Sequence, residues 1–287
     1  MSHSAILLIA LALLAHLVAD FVLQTDTIAE AKTADGGRAW RGLGIHSGIV
    51  AICLLPFVAA YGPRGLGYLA IVSIAHGLID RTKVVLNRRA ASLPPPDAAA
   101  EPAVPADAPG DRAWTPLPAA LFLADQAAHL VVLLAGASVL LVGQPTLSAW
   151  RNAVQAIGGH LLPVSHQVPA LIVLVVLLDL AIINIRGGFF LVGTLLAPRG
   201  FAAGSEPGPE RVGATIGILE RLIVCVLVLA GQAAAIGFVI AAKTLARFRQ
   251  LDDRHFAEYY LVGTLASVTL ALATSIVAEA AIRAALH

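Results

Sequence analysis

Three pairs of histidine and aspartate, each four residues apart, stand inside otherwise apolar stretches: His16 and Asp20 in "LLAHLVADFVLQTD", His76 and Asp80 in "AHGLID", Asp125 and His129 in "ADQAAH". A further histidine, His46, sits in "GLGIHSGIV". Side chains four apart share one helix face, so each pair can aim two donors at one point. Neutral imidazole with carboxylate suits divalent metals such as zinc, manganese or iron(II). An isolated aspartate at the centre of a membrane helix costs about 2.5 to 3.5 kcal/mol, and a bound cation offsets several at once. The expected metal ligands are therefore His16, Asp20, His46, His76, Asp80, Asp125 and His129, enough for one ion with its supporting partners or for two adjacent ions. Asp125 is also the expected general base. Gln24, at the end of the first apolar run, is expected at the mouth of the site, while Gln126, about 100° round the helix from Asp125, is expected to point away. The competing bland account is that these side chains only join helices to one another.

The elements that hold these residues are set by composition. Of 287 residues 58% are hydrophobic and 13% charged, and the mean hydropathy is +0.83. These values lie outside the range of soluble domains and indicate an integral membrane protein. A net charge of +1 without a Lys/Arg run excludes a nucleic-acid partner and leaves membrane lipid as the expected one. Cys53 and Cys225 have no CxxC spacing, so neither a disulfide framework nor a thiolate site is expected. The first apolar run lacks a basic segment before it and a small-residue cleavage pattern after it, so it reads as a retained helix.

A crossing needs about 20 apolar residues. The expected fold is all-α, a polytopic transmembrane helical bundle of about seven spans: 4–24, 43–61, 65–85, 117–142, 169–185, 213–242 and 259–286. Region 1–87 holds the first three helices and their His/Asp motifs. Region 88–116, rich in Pro and Ala, reads as a disordered linker. Region 117–142 is the fourth site-bearing helix, and 143–287 is a C-terminal helical region with an interfacial segment at 243–257. "GGFFLVGTLLAP" (187–198) is too short to cross, and its double glycine is expected to end the preceding helix through positive φ.

Alternating the direction of travel puts His16, Asp20, His46, His76, Asp80, Asp125 and His129 near one membrane face. With the N-terminus outside, the inner loops through the fifth span hold Lys32, Arg38, Arg41, Arg81, Lys83, Arg88, Arg89, Arg112, Arg186, Arg199 and Arg211, against Arg64 and Arg151 outside. That bias makes the site's face cytoplasmic. Lys243, Arg247, Arg249 and Arg254 would then fall outside, which points to a miscounted crossing near 213–242 or to an interfacial helix. Arg221, Lys243 and Arg247 read either as a contact for an anionic substrate or lipid headgroup or, together with Glu220 and Glu258, as interfacial charges pairing with one another at the helix ends. His160, His166 and His255 lack a spacing partner and are expected in solvent.

At "AHLVADFVLQTD", "GLGIHSGIV", "AHGLIDRTK" and "FLADQAAHLVV" the chain resembles a family of bacterial membrane proteins catalogued as domain of unknown function 3307. The resemblance spans roughly residues 5–142, and "GATIGILERLIV", "IAAKTLARF" and "AEYYLVGTLAS" look like the extension of its longer members. It implies a multi-pass protein of the cell inner membrane. "AHGLID" is also similar to the His/Asp helices of membrane-bound metal-dependent hydrolases, which implies His76 and Asp80 as ligands with His16 and Asp20 as a matching pair. The expected function is a metal-dependent hydrolase of a lipid-like or membrane-borne substrate. The alternatives are a metal-ion or proton transporter using the same residues as a relay, and a non-catalytic membrane scaffold.

Overall fold

The computed structural model describes residues 2–92, 116–158, 164–196 and 210–287, and every regular element among them is helical. Most of the expected linker (93–115) and His160 lie outside the described residues, as do the side chains of His166 and His255. Helix α1 (His3–Leu17) starts at Ser2, whose hydroxyl accepts the Ala5 N–H, and runs into a π-helical turn at Val18–Val22. A short helix α2 (Asp26–Thr33) follows, capped by the Thr25 hydroxyl on the Ile28 N–H. Helix α3 (Gly36–Tyr61) turns back at Gly62, where φ is 60°, into α4 (Pro63–Ser92). A left-handed φ at this reversal favours glycine, and proline suits the first helical position after it.

Beyond these come α5 (Leu117–Leu140), the surface helix α6 (Ser148–Gly158), α7 (Val164–Ile182), α8 (Gly188–Leu196), α9 (Glu210–Leu229), α10 (Ile236–Ala246) and α11 (Arg254–Leu286). Five helical segments are long and apolar enough to cross a membrane: His3–Val22, Gly36–Tyr61, Leu117–Leu140, Gln167–Leu196 and Phe256–Leu286. The chain is thus a helical, multi-pass membrane protein by length and composition of its elements. Two buried clusters share α1. Leu8 and Ala12 pack with Val50, Leu54, Tyr68 and Leu133 of α3, α4 and α5, while Ile6 and Ala10 pack with Ile172, Val224, Ala271 and Ala278 of α7, α9 and α11. A helix apolar all round is buried on both sides, and α1 is the joint between the two halves.

Two expectations are corrected. The helix does not stop at Gly187 and Gly188: a π turn (Ile183–Gly187) leads straight into α8, with Gly188 at φ −65°. The missing Cβ serves close packing instead, since one on Gly188 would meet the guanidinium of Arg221. The stretch 213–242 is not one span either. Helix α9 ends at Leu229, Gly231 takes φ 70°, and α10 folds back beside α9 so that Lys243 donates to Glu220 Oε2 at 2.5 Å. This return carries Lys243, Arg247, Arg249 and Arg254 toward the face from which α9 starts, which removes the conflict with the basic-residue bias. Residues 243–257 comprise the end of α10, a 3₁₀ turn (Phe248–Gln250) and the start of α11.

Single cysteines in a Cys53→Ser, Cys225→Ala background test this hairpin. Arg249→Cys and Arg38→Cys are expected to react with an impermeant maleimide from the same side of the membrane, and Arg151→Cys from the other. Labelling of Arg249→Cys together with Arg151→Cys would contradict the fold-back.

Candidate metal centre

Gly62 reverses the chain midway between His46 and His76, so the α3–α4 hairpin brings the two rings to the same level. Gly77 allows the approach: a Cβ there would lie 2.8 Å from Ser47 Oγ. His46 Nε2 stands 2.9 Å from His76 Nε2. Asp20 Oδ1 is 3.2 Å from His46 Nε2 and 3.3 Å from His76 Nε2. Asp80 Oδ2 is 3.5 Å from His46 Nε2 and 3.7 Å from His76 Nε2.

These five distances are the edges of two triangles of donor atoms that share the His46–His76 side. Ligands about 2.0 to 2.1 Å from a tetrahedral zinc are about 3.3 Å apart, and the five edges straddle that value. Asp20 Oδ1 is buried yet makes no hydrogen bond, so a carboxylate oxygen faces two imidazoles in a space that lacks its counter-charge. Burying such an oxygen unpaired is costly. The donor types and their spacing fit a divalent cation. His46 Nδ1 is also buried without a partner, and there the set departs from the usual pattern in which a ligating histidine donates its second N–H.

His129 and His16 extend the cluster. His129 Nδ1 lies 2.9 Å from the Asp125 carbonyl, and an N–H donated there leaves Nε2 as a lone pair, buried and without a partner. Its ring is 4.1 Å from that of His76 and 5.0 Å from that of His16, centre to centre. Three sets of donors fall within 4.8 Å of one another: His16, Asp20 and His129; Asp20, His46 and His76; His76, Asp80 and His129. The structure thus brings together six of the seven residues expected as ligands. Asp125 stands beside them, with Oδ2 taken by Lys83 at 2.7 Å and by Gln126 at 3.1 Å, and with Oδ1 buried and unpartnered.

Two lysines complete the electrostatics, one from the loop side and one from a helix end, and neither carries a spacing that marks it in the sequence. Lys32, carried inward by α2, donates to Asp80 Oδ2 at 2.6 Å and to Gln24 Oε1 at 2.7 Å, which puts Gln24 at the edge of the cluster. Lys83 neutralises Asp125. Asp20 has no ammonium. Its aim depends on the π turn at Val18–Val22, where Arg186 Nε donates to the Phe21 carbonyl at 3.0 Å. On the side away from Lys32, His16, His76 and His129 border a cavity of about 10 Å³, lined further by Val50, Leu54, Val72 and Leu133. That is about the room one water needs.

A family model described as "Protein of unknown function (DUF3307)" matches residues 7–157, more than half of the chain. The chain belongs to the DUF3307 family. All seven expected ligands of this DUF3307 protein lie within the matched residues. No curated protein and no solved structure matches the chain.

The remaining predicted polar residues lie elsewhere. Glu220 pairs with Lys243, and Lys243 also stands 5.2 Å over the Tyr260 ring. Arg221 turns inward from its neighbours, 3% exposed. It donates to the Asn184 carbonyl at 2.6 Å and to Ser267 Oγ at 3.0 Å. Asp179, which has no His or Asp four residues away to mark it, is buried in the span Gln167–Leu196 with Oδ1 unpartnered. Gln126 does reach Asp125, because its side chain folds back along the helix.

Breaking one side of a buried ion pair costs more than removing both. Lys83→Met is therefore expected to lower stability by about 3 kcal/mol, and the double variant Lys83→Met, Asp125→Leu by clearly less, measured by thermal unfolding in detergent. Equal losses would show that the pair carries no compensation.

Proposed function

We propose that this protein is a metal-dependent hydrolase of the cell inner membrane that acts on a lipid-like or membrane-borne ester or phosphoester at the cytoplasmic face. The observation that carries this reading is the convergence of Asp20 and Asp80 on the paired Nε2 atoms of His46 and His76, with Asp20 Oδ1 buried and unpaired. These four residues would hold the ion, with zinc the metal whose bond lengths suit the distances best. Bound there, it would supply Lewis-acid chemistry toward a water and an ester or phosphoryl oxygen. His129, with Nε2 free, and His16 stand ready to orient the reactants or to take a second ion.

Asp125 acts as the general base. Its Oδ1 is unpartnered and takes the proton, while Lys83 holds Oδ2 in place. Lys32, tethered by Gln24, is the cation nearest the donor set and faces an anionic group of the substrate. Counting α4 with the five long apolar segments makes six crossings, with α9 and α10 entering and leaving on one side. The N-terminus is then outside, and α10 brings its basic residues back to the inside.

Transport by the same residues has one observation in its favour, the unpartnered Asp179 in a span that borders α1. Against it stands the aliphatic lining by Val50, Leu54, Val72 and Leu133 on the side of the histidines away from Lys32.

Metal analysis of the detergent-purified full chain is expected to find at least one ion per chain, lost in a His46→Ala, His76→Ala variant that elutes as a single peak. Asp125→Asn is expected to keep the metal and to lose 10²-fold or more of the turnover of a fluorogenic phosphoester lipid. Wild-type protein without metal would sink the metal reading and leave a scaffold. Metal without turnover, but with zinc flux into proteoliposomes that Asp179→Asn abolishes, would replace hydrolysis by transport.

A further inference from the structure

A groove of about 430 Å³ runs along the outer surface of the α3–α4 hairpin. Its α4 side carries Ser73, Gly77 and Arg81 at four-residue spacing, and its α3 side Trp40, Leu43 and Ser47 at three- and four-residue spacing, with Gly48 beside them. Such spacing places each series along one helix face, so the groove is about 12 Å long at 1.5 Å per residue. Its size falls within the range of ligand pockets. Its rims are apolar and face away from the bundle, with Ile74 66% and Leu78 65% exposed.

The two ends differ in chemistry. At the end nearest α2, Arg81 lies 5.4 Å over the face of Trp40. Among the described residues no carboxylate lies within 4 Å of the Arg81 guanidinium. A guanidinium on an aromatic ring keeps donors free for an anion and sits where tryptophan and arginine gather, at the membrane interface. Toward the middle of the bilayer the floor is Gly48, Gly77 and Ser73, without bulk. A Cβ on Gly48 would meet nothing within 4 Å.

We infer that this groove is a binding site for one anionic phospholipid of the leaflet on the α2 side, its phosphate on Arg81 beside Trp40 and one acyl chain along Gly77 and Gly48. Charge complementarity selects this occupant over a second copy of the chain, whose matching face would bring Arg81 against Arg81 in a two-fold contact. Lipid binding here goes beyond the hydrolase reading and does not depend on it, because the groove and the His46/His76 pair lie on opposite sides of the Ser47–Gly77 contact.

Trp40 is the probe. In a Trp114→Phe, Trp150→Phe background the full chain is reconstituted in phosphatidylcholine vesicles that contain increasing fractions of phosphatidylglycerol or phosphatidylcholine brominated at carbons 6 and 7. Half-maximal quenching of Trp40 is expected at about a fivefold lower mole fraction of the brominated anionic lipid, the equivalent of about 1 kcal/mol for one basic residue at an anionic surface. Arg81→Gln and, separately, Gly48→Leu are expected to remove that preference while the helical circular dichroism is unchanged. Arg88→Gln, outside the groove on Asp35, is expected to keep it. Equal quenching by the two lipids, a preference that survives Arg81→Gln, or one lost equally in Arg88→Gln would overturn the site. Protection from both lipids would overturn it in favour of a protein occupant. Metal content and turnover are read separately, so failure here leaves the hydrolase reading intact.

Discussion

Three carboxylates buried at one depth of a membrane bundle set the terms for the rest of this structure. In hydrocarbon each is costly unless paired or bound to a cation, and the fold compensates them unequally. Lys32 covers Asp80 and Lys83 covers Asp125, but Asp20 meets only imidazole nitrogens. The oxygen left without a donor is the one toward which His46 and His76 converge. Charge balance and donor geometry therefore point to the same spot, and a divalent cation answers both.

The architecture follows from holding that spot in place. Helix α1 is buried on both sides because it must present His16 and Asp20 to α3, α4 and α5 while packing on α7 and α11. Its π turn re-aims Asp20, and the second π turn, in the span Gln167–Leu196, carries Arg186 to the Phe21 carbonyl. Arg221 in turn holds the Asn184 carbonyl of that second turn. Helix irregularities of this kind gather at functional sites. The C-terminal half thus braces the N-terminal cluster through backbone contacts, even though it contributes no residue to the donor groups found among the described residues.

What the sequence disclosed was whatever has a period. The four-residue spacing of His16 and Asp20, of His76 and Asp80, and of Asp125 and His129 implies shared helix faces, and alternation of the spans aligns them in depth with His46. What it concealed depends on tertiary contact. Lys32 and Lys83 look like ordinary loop and helix-end cations until α2 and α4 are packed. Gly187 and Gly188 look like a stop signal because nothing local reveals that Arg221 needs the space. Gly231 is one glycine in an apolar run, and only the Lys243–Glu220 contact shows the turn it makes. Asp179 was legible and was passed over, since an ionisable residue within a span is a functional candidate by default.

The most direct test of the centre is X-ray absorption at the zinc edge of purified protein loaded with one equivalent of zinc. The arrangement of His46, His76, Asp20 and Asp80 predicts four nitrogen or oxygen neighbours at about 2.0 to 2.1 Å, with the outer-shell scattering of two imidazoles. A spectrum with six oxygen neighbours and no imidazole signature would contradict it.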